Sequence, residues 1–149
     1  MSREGESIVP VKTHRKRVSK KVPAVLKTDA RLKALCVAET AIEKHAGDVS
    51  ILQIGAFSAL TDYLVICSAE SGPQIQAIRE AVDGVLSGNG LEPLGIEGQP
   101  EHGWVLVDYN DVILHIMKPD TRAFYNLERL WGDAPTIPLR PPQEKARKP

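Results

Sequence analysis

The sequence predicts a mixed α/β domain, one compact mixed sheet with helices packed against it. Three observations carry that prediction. Residues 63–67, Tyr-Leu-Val-Ile-Cys, form an unbroken apolar run with the length of a strand buried on both faces. Residues 104–109 and 112–117 alternate on either side of Asn110 and Asp111, the pattern of a β-hairpin. Elsewhere apolar residues recur near a 3.6-residue period, which marks helices.

In chain order, Thr28 is expected to cap a first helix with Asp29 in its first turn. Leu32, Leu35, Cys36, Ala38, Ala41, Ile42 and His45 form its apolar positions, and Gly47 stops it. Val49, Ile51 and Ile54 belong to a short strand that runs into a turn around Gly55, and 63–67 follows as a central strand. Ser-Ala-Glu-Ser-Gly-Pro (68–73) breaks the chain. Ile75, Ile78, Val82, Val85 and Leu86 then stripe a second helix, closed by Gly-Asn-Gly at 88–90. Residues 91–97 read as a strand that Pro93 pushes to a sheet edge or a bulge.

With Asn110 and Asp111 as a two-residue turn, Leu106 opposes His115 and Trp104 opposes Met117. One hairpin face collects Val105, Val107, Tyr109, Val112, Leu114 and Ile116, and this face is core. The other collects Trp104, Leu106, Asp108, Ile113, His115 and Met117. A face that mixes large apolar groups with an acid and an imidazole has something polar-edged over it, either a helix of the chain or another molecule. Asp120 is expected to cap a last helix with Phe124, Leu127, Leu130 and Trp131 as its buried stripe. Arg122, Tyr125, Glu128 and Arg129 lie away from that stripe, and Gly132 ends the helix.

A chain of 149 residues suits one domain, since roughly two thirds of the unfolded surface is buried at this size. No apolar run approaches the roughly 20 residues needed to cross a bilayer. No apolar block of a secretory signal follows the N-terminal charges. Cys36 and Cys67 form no CxxC pair and sit among apolar neighbours, which favours reduced thiols. A cytoplasmic setting is expected, with an organelle stroma or matrix as the alternative.

The charge is segregated. Residues 1–27 hold eight basic and two acidic residues, net +6, and 140–149 hold four and one, net +3. Residues 28–139 hold seven basic and sixteen acidic, net −9. The division expected is a basic, disordered extension over 1–27, a folded domain over 28–134, and a proline-rich basic tail over 135–149. An acidic body repels phosphate backbones and favours a basic protein as partner. The tails are solvated runs, or add weak RNA affinity. An organelle address in the N-terminal run is opposed by Glu4, Glu6 and the lack of an amphipathic period.

Catalytic candidates are few. Asp108 and His115 are diagonal neighbours in the hairpin, but no nucleophile completes them: Ser68 and Ser71 lack a nucleophile elbow. Asp62, Asp108 and Asp111 offer carboxylates for a metal without an Asp-x-Asp pair. The four histidines (His14, His45, His102, His115) have no zinc spacing, and no glycine pattern matches a nucleotide fingerprint. The reading is therefore a protein that is no enzyme and takes no cofactor. Trp104, at the start of a strand on the mixed face, is either half-buried packing or a partner anchor.

Four blocks in order then become recognisable: Thr-Asp-Tyr-Leu-Val-Ile-Cys-Ser (61–68), Gly-Ile-Glu-Gly (95–98), the hairpin 104–117, and Arg-Ala-Phe-Tyr-Asn-Leu-Glu-Arg-Leu-Trp (122–131). Together they resemble the ribosomal silencing factor family, RsfS or Iojap, over residues 30–133. The resemblance implies a nucleotidyltransferase-like fold lacking that superfamily's catalytic carboxylates. It implies binding to the large ribosomal subunit through ribosomal protein L-fourteen, with steric exclusion of the small subunit and repression of translation. Carried over by motif, the partner-facing set is Trp104, Leu106, Asp108, His115 and Met117, with Glu97, Tyr125 and Glu128 beside it. The chain is a monomer or a homodimer on this reading. Two alternatives stand: a metal-dependent nucleotidyl or phosphoryl transferase using Asp62 and Asp108, and a ribosome-assembly factor that binds RNA through its basic tail.

Overall fold

The structure, a computed structural model, describes residues 24–139. Residues 1–23 of the expected 1–27 extension and the end of the tail, 140–149, lie outside the described residues. A 3-10 turn, Ala24–Lys27, leads into α1 (Ala30–Glu43), β1 (Gly47–Gln53), β2 (Tyr63–Ser68), α2 (Gly72–Ser87) and β3 (Gly95–Gln99). A second 3-10 turn, Pro100–His102, precedes β4 (Trp104–Asp108) and β5 (Val112–Met117), and the short helices α3 (Pro119–Tyr125) and α4 (Leu127–Leu130) follow. The five strands form one sheet in the order β1-β2-β5-β4-β3. β2 and β5 run parallel, and the other neighbouring pairs are antiparallel, so the predicted mixed sheet with flanking helices is the observed fold.

β2 is an interior strand, flanked by β1 and β5, and every one of its six residues is buried, as an apolar run between two strands requires. The hairpin has the predicted register, with Trp104 opposite Met117 and Leu106 opposite His115. Asn110 takes the left-handed conformation at φ 80°, which asparagine tolerates well, and its N–H donates to the Asp108 carboxylate at 2.8 Å. The turn is therefore held by Asp108. The Asp111 side chain, besides its place in the turn, accepts from Lys33 of α1 at 2.5 Å.

α1 and α2 both pack on one sheet face, against Ile51, Val65, Cys67, Val105, Val107, Leu114 and Ile116. The stripe of α2 is as predicted, with Ile75, Ile78, Val82 and Leu86 buried. That of α1 is shifted. Its buried positions are Lys33, Ala34, Val37, Ala38, Thr40 and Ala41, while Ile42 is exposed. Small residues let the helix lie close to the sheet, and the larger Leu32 and Leu35 pack at the margin. Its cap is Asp29, one residue later than expected, accepting the Leu32 N–H at 3.0 Å. It ends at Glu43, so Gly47 begins β1 instead of stopping the helix.

The second face carries its own cluster: Leu52, Ile54, Leu64, Ile66 and Met117, with Trp104, Ile113, Leu127, Trp131 and Ala134 against it. Pro93 precedes β3, which forms the sheet edge. The last helix departs most from expectation. Lys118 and Pro119 open it where Asp120 was expected to, and Asn126, left-handed at φ 45°, splits it into α3 and α4. The split breaks the predicted stripe: Leu127 and Trp131 turn inward, but Phe124 is 80% and Leu130 70% exposed. Beyond α4 the chain pairs with the free edge of β1, through Gln53 N–H to Pro135 O at 2.8 Å and Ile137 N–H to Ile51 O at 2.9 Å. Leu26 and Ile137 are both buried in the main core, so packing reaches past the bounds 28–134 at each end.

Candidate partner-binding surface

Pairing across the sheet lines up one row of the second face as Glu97, Leu106, His115, Ile66 and Ser50. Side chains on alternate residues point to the same side. The row is covered unevenly. Over β2 and β5 the face is closed by Leu127, Trp131 and Ala134, but over β3 and β4 it is open. There Glu97, Leu106 and Trp104 meet Tyr125 and Thr121 of α3, with Gly98 and His102, around a concavity of about 530 Å³.

Trp104 is the centre of this surface. Its Nε1–H donates to Nδ1 of His115 at 3.1 Å. The Tyr125 ring covers part of its outer side, with ring centroids 4.7 Å apart and planes tilted by 48°. Phe124 meets Tyr125 edge-on at 4.9 Å. An aromatic series thus runs from a solvent-exposed ring to a buried imidazole. Burial pushes the pKa of His115 down from 6.5 to about 4, because desolvation disfavours the imidazolium. At neutral pH the ring is uncharged, and Nδ1 is free to accept the indole proton.

Gly98 sets the position of Trp104 from the neighbouring strand. Its φ is +86°, and a Cβ there would stand 2.2 Å from the Trp104 carbonyl oxygen. Only glycine allows β3 to approach β4 so closely.

Of the eight expected partner-facing residues, four gather at the concavity: Trp104, Leu106, Glu97 and Tyr125. His115 and Met117 are 7% and 0% exposed and present no surface of their own. His115 lies beneath the surface, hydrogen-bonded to Trp104. Asp108 is half-buried at the far end of β4, bound to the turn. Glu128 is engaged by Arg122, whose Nε donates to it at 3.0 Å and whose Nη2 also donates to it, while Nη1 donates to Ser68 Oγ at 2.9 Å. Sequence reasoning missed Thr121, His102, Gly98 and Phe124. The sign that was available is Asn126, a residue type that favours left-handed helix ends.

For the rival chemistry, Asp108 does not reach His115, whose Nδ1 is taken by Trp104. Asp62 precedes β2, and its carbonyl accepts from Ile54 and Gly55. Among the described residues no three His, Cys, Asp or Glu side chains are grouped to hold a metal ion. No helix among them is long and apolar enough to cross a membrane.

The fold and the surface define a small mixed α+β domain that presents a recessed aromatic site on an acidic body. The chain belongs to the family described as ribosomal silencing factor during starvation, RsfS, whose model matches residues 27–149. It is 41% identical over 97 residues to the ribosomal silencing factor RsfS of Halalkalibacterium halodurans, covering 65% of this chain and 83% of that one. A crystal structure of a Chromobacterium violaceum protein superposes with a TM-score of 0.67 at 28% identity, over 70% of this chain and 88% of the other. The mouse protein named mitochondrial assembly of ribosomal large subunit protein 1 is 30% identical over 92 residues, 60% of this chain and 40% of that one.

Proposed function

We propose that this protein represses translation by docking on the large ribosomal subunit, through ribosomal protein L-fourteen, and sterically excluding the small subunit. It does so without catalysis. The observation that carries the reading is the concavity around Trp104: half-buried aromatic and aliphatic groups, open to solvent, on a body whose charge suits a basic protein. Opposite potentials speed encounter and fix orientation. Exposed rim pairs add only about 0–1 kcal/mol each, so the aromatic centre has to dominate affinity. The family description supports silencing, and the name of the mouse relative, an assembly protein of the mitochondrial large ribosomal subunit, supports the large subunit as target. The setting is the soluble compartment where translation occurs, bacterial cytoplasm or organelle interior.

The test is co-sedimentation of the full chain with purified ribosomal subunits, paired with a subunit-joining assay. Trp104→Ala should weaken association with large subunits about tenfold or more, a loss of about 1.4 kcal/mol, and should restore joining. Wild-type co-sedimentation by a variant with an unchanged circular dichroism spectrum overturns the assignment.

A further inference from the structure

We infer that the concavity between β3, β4 and α3 is a receptor for one arginine side chain of the basic protein partner, stacked against Trp104 and Tyr125 and paired with Glu97. This rests on the docking reading above and names what the surface recognises.

Four observations point to a cation. The indole N–H of Trp104 is already spent on His115, so what the ring has left to offer is its electron-rich face. Tyr125, tilted by 48° against Trp104 and 52% exposed, supplies a second such face. Glu97 is exposed, lies beside Leu106 in the cross-sheet row, and lines the same space. Among the described residues no lysine or arginine lines it; the stem of Lys118 lies beside Thr121 at Gly103, at the margin of the lining. An anion would meet the Glu97 carboxylate, and a purely apolar group would leave that carboxylate facing the interface unpaired.

Between the two cationic side chains, the surface favours guanidinium. It is planar, so it stacks on an aromatic face, and it sheds water more readily than an ammonium. Its N–H fork reaches a carboxylate while the plane is stacked. The Thr121 hydroxyl, in the same lining, is one more acceptor for that fork.

The test uses the full chain, isotopically labelled, titrated with N-acetyl-arginine amide and with its neutral isostere N-acetyl-citrulline amide while the tryptophan indole resonances are followed. The arginine probe should shift Trp104 but not Trp131 and bind at least fivefold more tightly than the citrulline probe. Glu97→Gln, at an exposed position that the fold does not need, should remove that preference. Equal binding of the two probes, or a preference that survives Glu97→Gln, overturns the inference. The chain's own N-terminal basic run is the rival source of a guanidinium, tested at Arg15 and Arg17. If the Arg15→Gln/Arg17→Gln variant takes up the arginine probe tenfold more tightly than wild type, the extension fills the site and the partner assignment falls; unchanged uptake supports it. Glu97-dependent arginine binding by a chain that pellets with no ribosomal subunit would sink the docking reading and leave the cation site standing. Large-subunit binding with no arginine preference would do the reverse.

Discussion

Trp104 donates its indole N–H to Nδ1 of His115 at 3.1 Å, a hydrogen bond between diagonal neighbours of the β4–β5 pair. One residue of the pair is half-buried in the candidate site and the other is buried beneath it. The orientation of the indole therefore depends on an imidazole that lies almost wholly beneath the surface.

The burial of His115 makes stability depend on pH. The folded-state pKa of His115 is depressed to about 4 by burial, against an ordinary value of 6.5. Above pH 6.5 neither state binds the proton and the full contribution is present. As pH falls towards 4, the unfolded chain takes up a proton that the folded chain refuses, so stability is lost across that window. At about 1.4 kcal/mol per pH unit the loss is of order 3 kcal/mol. His115→Gln keeps an acceptor for Trp104 but does not titrate. Urea denaturation of both proteins between about pH 7 and pH 4 should show the wild type losing more stability than the variant by a margin of that order. Parallel curves would remove His115 as the cause.

Tyr125 and Met117 should separate binding from packing. Tyr125 is half exposed and touches Trp104 from outside, whereas Met117 is fully buried on the same face. Tyr125→Ala should change unfolding free energy by about 1 kcal/mol or less while weakening association with large subunits several-fold. Met117→Ala should cost about 2–5 kcal/mol in stability, through the cavity it leaves. Its association should remain near wild type at temperatures where it is folded. Denaturant titration and co-sedimentation on the same two preparations give both readouts.

Gly98→Ala tests the close approach of β3 to β4. The substitution combines a left-handed backbone with a Cβ 2.2 Å from the Trp104 carbonyl oxygen, and strain of this kind costs about 1–3 kcal/mol. Because β4 has to shift at Trp104, association should weaken as well. Gly95→Ala, in the same strand with nothing within 4 Å of its Cβ, is the control. It should lie within about 0.5 kcal/mol of wild type. Equal melting temperatures for the two variants would show that β3 yields freely.

Much of this was legible in the sequence, for identifiable reasons. β2 and the hairpin show themselves because period-two alternation and an unbroken apolar run leave few other readings, and a two-residue turn dictates the register. Trp104 and Tyr125 are visible as large groups off the core stripes. The stripe of α1 is shifted from the pattern because Ala34 carries little hydrophobic weight and the polar Lys33 and Thr40 are buried, whereas Ala38 and Ala41 lie where the sequence places them. The burial of His115 was out of reach. It follows from Trp104 leaning across one diagonal of the hairpin while the residues after Asn126 fold back over β5, and tertiary placement of that kind has no local pattern. The continuous stripe from Phe124 to Trp131 misled for the same reason, since a single left-handed residue turned Phe124 outward.

Lys33 and Asp111 form the remaining test, away from the candidate site. The Lys33 side chain is 5% exposed, donates to Asp111 at 2.5 Å and approaches the Tyr109 carbonyl at 3.4 Å, so it fastens α1 to the hairpin turn. Asp111 also accepts on its backbone carbonyl from Asp62 and Tyr63 at the start of β2, each at 3.1 Å. Removing one partner strands a buried charge, which costs about 3–5 kcal/mol, whereas replacing both with uncharged groups is often close to neutral. Asp111→Ala should therefore destabilise strongly. The double variant Lys33→Met/Asp111→Ala should recover much of the loss, because Met fills similar volume without an ammonium to solvate. A double-mutant cycle by chemical denaturation measures the coupling, and strictly additive single-variant costs would show that the ammonium finds water without its carboxylate.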